Sequence, residues 1–170
     1  MTLRSLSIAV LTGLALLAET AAAARPAEDQ KLVERGKYLV RVSGCNDCHT
    51  HGYMQSDGNI PTERWLTGSA VGFQGPWGTS YPSNLRLTMQ GMSEAQWRAR
   101  AHQPMRPPMP WFNLKSMTDR DLVAIYRFVR SLGPAGEPTP AAAAPGVAVT
   151  TPYFEFVPKN LPAPAKHAER

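Results

Sequence analysis

Cys45 and Cys48 are the only two cysteines of this 170-residue chain, and His49 follows directly behind them in SGCNDCHTHG, residues 43–52. Such a pair can serve thiol–disulfide redox chemistry, half of a metal site, or the covalent seat of a haem. A disulfide across two residues closes a tiny loop and removes little chain entropy, so it is a poor staple. A thioredoxin-like pair needs a strand before it and a helix opening at the first cysteine, whereas the segment before Cys45 reads as helix. A zinc site needs a fourth ligand and usually a second paired half, and no second Cys/His pair follows. The remaining reading is C-x-x-C-H, the attachment signature of haem c. Each thiol adds across one vinyl group of the porphyrin, and two intervening residues let both sulfurs reach neighbouring vinyls. The next residue falls under the ring, where an imidazole can ligate iron. Cys45 and Cys48 are therefore expected as thioethers and His49 as the proximal ligand of one covalently attached haem c.

A sixth ligand must come from downstream, where Met54, Met89, Met92, Met105, Met109, Met117, His51, His102 and His167 are available. Met109 stands in MRPPMPW between Pro108 and Pro110. Prolines on both sides fix φ and restrict the chain, so this loop can present one side chain rigidly over the open haem face. Met109 is the expected ligand and Met105 its rival. Met89, Met92 and Met117 read as packing residues. His51 is too near His49 to reach the opposite face, His102 offers a bis-histidine alternative, and His167 lies in the tail.

These groups have to be positioned by helices. In EDQKLVERGKYLVRV (28–42), Leu32, Gly36, Leu39 and Val40 form one helical stripe. Gly36 inside it costs roughly 0.5–1 kcal/mol against Ala, which is reasonable if another helix backbone comes close there. Thr118 followed by Asp119 and Asp121 makes a good helix start. Leu122, Ile125, Tyr126, Val129 and Leu132 share one face of that helix, and Gly133-Pro134 stops it. Ser93-Glu94-Ala95-Gln96 reads as a capping box opening a shorter helix to about His102. The region 52–91 is rich in turns, and its Trp65, Phe73, Trp77 and Tyr81 could wall a flat apolar cofactor. From Ala135 the chain turns Pro/Ala-rich, like a linker. Within it TPYFEFV (151–157) alternates and could be a short strand or a stretch pinned across the domain surface; order is expected only if Tyr153, Phe154 or Phe156 finds a groove, and the tail beyond Pro158 is expected to be mobile.

The N-terminus carries a compartment address. Met1–Arg4 is basic, Leu6–Ala18 is apolar, and Ala21–Ala24 offers two overlapping A-x-A cleavage sites, the layout of a secretory signal peptide. Thirteen apolar residues are too few to span a bilayer core that needs about twenty. Cleavage after Ala23 or Ala24 leaves about 146 residues (170 − 24), enough for one domain with extensions. The net charge of +5 is spread along the chain without a basic block, which gives no reason to invoke nucleic acid.

A helix running into CNDCH, then PMPW, then a capped helix containing DLVAIYRFVRSL resembles a class I c-type cytochrome. It is similar to the single-haem domains of cytochrome subunits serving periplasmic dehydrogenases. The resemblance runs from about Gln30 to Pro134 and implies an all-α, cytochrome c-like fold. In that fold the first and last helices cross near Gly36 and an aromatic of the last helix, over a loop-rich haem crevice. GPWGTSYPSNL (75–85) resembles the segment bordering the haem edge, implying that Tyr81 and Asn84 approach the propionates beside Trp77. The expected organisation is thus a signal peptide at 1–24, a cytochrome c domain at 25–134 and a Pro/Ala-rich extension at 135–170. Many-haem dehydrogenase subunits carry several C-x-x-C-H motifs, and this chain has one.

Iron held by His and Met has no open position, which suits outer-sphere electron transfer. The expected function is a non-enzymatic periplasmic carrier, without a membrane span after cleavage. It would pass electrons between a dehydrogenase and another cytochrome, an oxidase or a reductase. Two rivals are a gas-binding or peroxidatic haem protein with a displaceable sixth ligand, and an assembly subunit that uses its tail to reach a partner.

Overall fold

Helix α1 (residues 27–42) and helix α6 (Asp119–Ser131) cross at Gly36. A Cβ on Gly36 would lie 2.0 Å from the Ala124 carbonyl oxygen and 2.7 Å from the Phe128 Cβ, so only glycine permits this approach. This computed structural model describes residues 27–161; the expected signal peptide and His167 lie outside the described residues. Between the crossing helices run α2 (Cys45–His49), α3 (Leu85–Gln90), α4 (Glu94–Ala101) and α5 (Trp111–Lys115). Two 3-10 turns, Met54–Ser56 and Thr62–Arg64, occupy the irregular stretch after α2.

The helix starts follow local chemistry. Ser93 and Gln96 form a complete reciprocal capping box on α4. The Thr118 side chain accepts from the Asp121 amide at the start of α6, and Asp119 and Asp121 meet the positive end of the helix dipole. Leu122, Ile125 and Val129 are buried as the stripe predicts. Phe128 and Ala124 join them, while Tyr126 is only partly buried and donates its hydroxyl to the Met92 carbonyl. The core continues through Leu39, Val40, Leu66, Met89 and Trp97. Trp65 belongs to this core rather than to a cofactor wall. Its ring packs edge-on against Tyr53 and Phe128, and its indole N–H donates to the Ile60 carbonyl.

The helical expectation omitted a small sheet. Strands β1 (Gly72–Gly75) and β2 (Gly78–Ser80) form an antiparallel hairpin, and β3 (Tyr153–Glu155) adds parallel to β1, giving the order β2-β1-β3. No groove buries β3: Tyr153, Phe154 and Phe156 stay exposed, and the strand is held by its pairing with β1 and by the aromatic face of the hairpin. Phe154 stacks on Phe73 at 5.7 Å, and Phe156 sits edge-on to both Phe73 and Trp77. The stretch from Ala135 to Phe156 therefore lies against the body of the molecule instead of trailing as a linker. Among the described residues no helix is long and apolar enough to cross a membrane.

Candidate haem site

Gly44 turns the chain between α1 and α2 with φ +71, a conformation L side chains rarely adopt. The whole CNDCH motif then forms α2, where positions i, i+3 and i+4 share a face. Cys45, Cys48 and His49 accordingly line one cavity of about 310 Å³, within the roughly 300–1,000 Å³ of small-molecule clefts. Its walls are largely apolar, with Val40 from α1, Ile125 and Val129 from α6, Met89, Trp97 and Leu114. The loop after α4 brings both Met105 and Met109 to the same cavity.

His49 is buried, and its Nδ1 lies 2.8 Å from the Ser83 carbonyl oxygen, which can only accept. That bond puts the proton on Nδ1 and leaves Nε2 with a lone pair for a metal. Burial lowers the imidazole pKa and outweighs the opposing effect of the Ser83 bond, so the ring is neutral at pH 7. Cys45 and Cys48 are not joined to each other by a disulfide. Burial pushes Cys45 up to about 11 and moves Cys48 in the same direction. A thiol–disulfide redox pair needs the opposite shift.

The other expected site residues divide. Tyr81 and Phe73 line the cavity, whereas Trp77 and Asn84 are not among its lining residues. The Trp77 indole N–H donates to the Ser80 hydroxyl, and its ring packs against Phe156. Asn84 caps α3 by accepting from the Leu87 amide and spends its Nδ2 on the carbonyls of Ala135 and Glu137. Its carboxamide is thus committed to the C-terminal extension. Met89 and Met117 face the cavity, and Met89 is fully buried as a packing residue. His51 is exposed and pairs with the Ser69 hydroxyl at 3.2 Å, and His102 lies at the surface 3.9 Å from Asp119. Sequence reasoning missed Arg100 and Arg106, the only Lys, Arg, Asp or Glu among the described residues that line the cavity; apart from their charge, no local signal marks them.

Two thiols and a neutral imidazole on one face of a short helix, an apolar slot, and thioether sulfurs at the same slot are a donor set that fits haem c. The fold and the site together define a helical haem protein of the electron-transfer class. The family model for cytochrome c matches residues 33–133, more than half of the chain, and the chain belongs to the cytochrome c family. That family carries covalently bound haem and transports electrons.

The chain is 29% identical over 137 residues to the cytochrome c subunit of quinone alcohol dehydrogenase from Gluconacetobacter polyoxogenes. It matches the corresponding Komagataeibacter europaeus subunit equally well, covering in each case 72% of this chain and 27% of the relative. The cytochrome subunit of fructose dehydrogenase from Gluconobacter japonicus is 28% identical over 161 residues, covering 84% of this chain and 31% of the relative. The chain thus spans under a third of the length of these relatives. No solved structure matches it significantly.

Proposed function

We propose that the protein is an exported, periplasmic mono-haem c-type cytochrome that passes single electrons between a dehydrogenase and a downstream acceptor, another cytochrome or an oxidase. In this reading it performs no catalysis of its own, and the iron is low-spin between His49 and Met109. The observation that carries the proposal is the meeting of Cys45, Cys48, His49 and Met109 at one largely apolar cavity. One cysteine pair supports one haem. The printed names of the relatives, cytochrome subunits of alcohol and fructose dehydrogenases, support a dehydrogenase as donor.

Bound haem supplies a one-electron iron couple. The chain's residues hold it ready: Ser83 fixes the His49 ring, and a methionine ligand favours a higher potential than a second histidine. Apolar walls exclude water and so favour the less charged ferrous state. The net charge of +5 favours encounter with an acidic partner face.

The test is the full chain matured in a host that attaches haem c. One iron per chain is expected, with reduction by a quinone-dependent alcohol or fructose dehydrogenase once its substrate is added. The native ferrous protein should not bind carbon monoxide. Immediate binding of that gas would establish the displaceable-ligand reading instead, and a protein that stays ferric would remove these dehydrogenases as donors.

A further inference from the structure

Residues 135–161 lie beyond the stretch the family model matches, yet they are fastened to the cytochrome domain at several points. At the root, Asn84 Nδ2 donates to the carbonyls of Ala135 at 2.8 Å and Glu137 at 3.2 Å. Further along, a Cβ on Gly68 would lie 2.5 Å from the Thr139 methyl, so Gly68 makes room for the passing chain. Ala143 exchanges both backbone hydrogen bonds with Thr79, at 3.1 and 2.9 Å. At the far end the Thr151 and Tyr81 hydroxyls are 2.5 Å apart, and β3 joins β1. Between these anchors, Pro140 and Ala142 line the same cavity as Cys45, Cys48 and His49.

Arg106 lines that cavity too, and its Nη1 lies 3.3 Å from the carbonyl oxygens of both Trp77 and Ala143. It makes no ion pair among the described residues. Among the described residues no Asp or Glu lines the cavity, whereas a haem brings two propionates. The other lining arginine, Arg100, turns its Nη1 toward the Gln103 and Pro104 carbonyls of its own loop.

We propose that residues 135–156 are a wall of the haem pocket, strapped across the crevice, and that Arg106, held by the strap's Ala143 carbonyl, is the counter-charge of a haem propionate. The inference rests on the haem reading above and gives the extension a role in that site. Oxidation adds a positive charge at the iron. A nearby guanidinium opposes that charge, and a wall that excludes water removes the solvent that would stabilise it. Loss of either element therefore shifts the reduction potential downward. Because the strap positions Arg106, the two effects are coupled and do not add.

The test uses the haem-loaded full chain, Arg106→Gln, a chain ended after Glu137, and the combination of the two changes. Ending at Glu137 keeps the Ala135 carbonyl that Asn84 binds, and the terminal carboxylate of Glu137 still accepts in place of its carbonyl. Spectroelectrochemical titration should give a lower potential for each single change, and a combined shift smaller than the sum. A shortened chain with the full-length potential overturns the wall. An unchanged Arg106→Gln potential, or shifts that simply add, overturns the clasp. If the shortened chain does not mature, the full-length Phe154→Ser/Phe156→Ser variant releases β3 from the aromatic face without altering a cavity residue and is read in the same way. A full-length chain that takes no covalent haem would overturn the carrier reading as well. Covalent haem with an unmoved potential overturns only the strap.

Discussion

The Nδ1 of His49 donates a 2.8 Å hydrogen bond to the carbonyl of Ser83, and Ser83 begins a four-residue segment with three separate attachments. Asn84, next in the chain, binds the carbonyls at the root of the extension. Arg86, two residues on, is buried and binds the carbonyls of Glu63 at 2.6 Å, Gly133 at 2.7 Å and Leu132. One short stretch thus fastens the His49 imidazole, the start of the extension and the end of α6.

Asn84→Asp separates two of these duties. The variant keeps the acceptor that caps the Leu87 amide but loses both donors to Ala135 and Glu137. Setting a carboxylate against two partly buried carbonyls should cost about 1–3 kcal/mol. Urea unfolding of the ferric protein checks the magnitude. Limited proteolysis should cut faster between 135 and 152 in the variant, and unchanged cleavage there would show that Asn84 does not secure the extension.

Arg86→Leu removes the donors from all three carbonyls, two of them at the end of α6. Burial lowers the Arg86 pKa, yet a guanidinium stays charged at any physiological pH. These carbonyls are only partly buried, so each orphaned acceptor costs less than the about 1–3 kcal/mol of a fully buried one, and a total loss of about 2 kcal/mol is expected. Arg86→Lys should recover only part of it, because one ammonium cannot reproduce the planar fork. A wild-type denaturation midpoint for Arg86→Leu would contradict this role.

Gly36→Ala sets helix propensity against packing. In an exposed helix the change gains about 1 kcal/mol. Here the new methyl would meet the Ala124 carbonyl at 2.0 Å, a backbone group that moves only with its helix. Overpacking of this kind costs about 1–3 kcal/mol. The expected result is a net loss of stability in chemical denaturation, larger still for Gly36→Val. A stabilised Gly36→Ala protein would mean the α1–α6 crossing is looser than described.

The parts legible in the sequence were those set by local chemistry. The spacing of Cys45, Cys48 and His49 sets them on one helix face at one cavity, and Ser93, Gln96 and Thr118, whose side chains act within one turn, mark the starts of α4 and α6. Gly36 marks the helix crossing because glycine has a cost that needs a reason. The parts that were not legible depend on distant partners. β1 pairs in parallel with a strand some eighty residues later, and neither segment signals the other beyond the alternation in TPYFEFV. Asn84 was expected near the haem edge, and its amide engages the extension, a consequence of where residues 135–156 run, whereas the Trp77 indole bonds Ser80 within its own hairpin. Arg86, between Leu85 and Leu87, looks like any surface helix residue until the Glu63 loop and the end of α6 close over it.

The central claim is a low-spin iron between His49 and Met109, with Met105 the competing sulfur at the same cavity. The most direct measurement is the ferric optical spectrum of the haem-loaded protein, wild type beside Met109→Ala and Met105→Ala. The wild type and Met105→Ala should be low-spin with the weak far-red methionine-to-iron charge-transfer band, and Met109→Ala should lose that band. A band that survives in Met109→Ala and vanishes in Met105→Ala would assign the ligand to Met105, and a high-spin wild type would contradict the closed, electron-carrying site altogether.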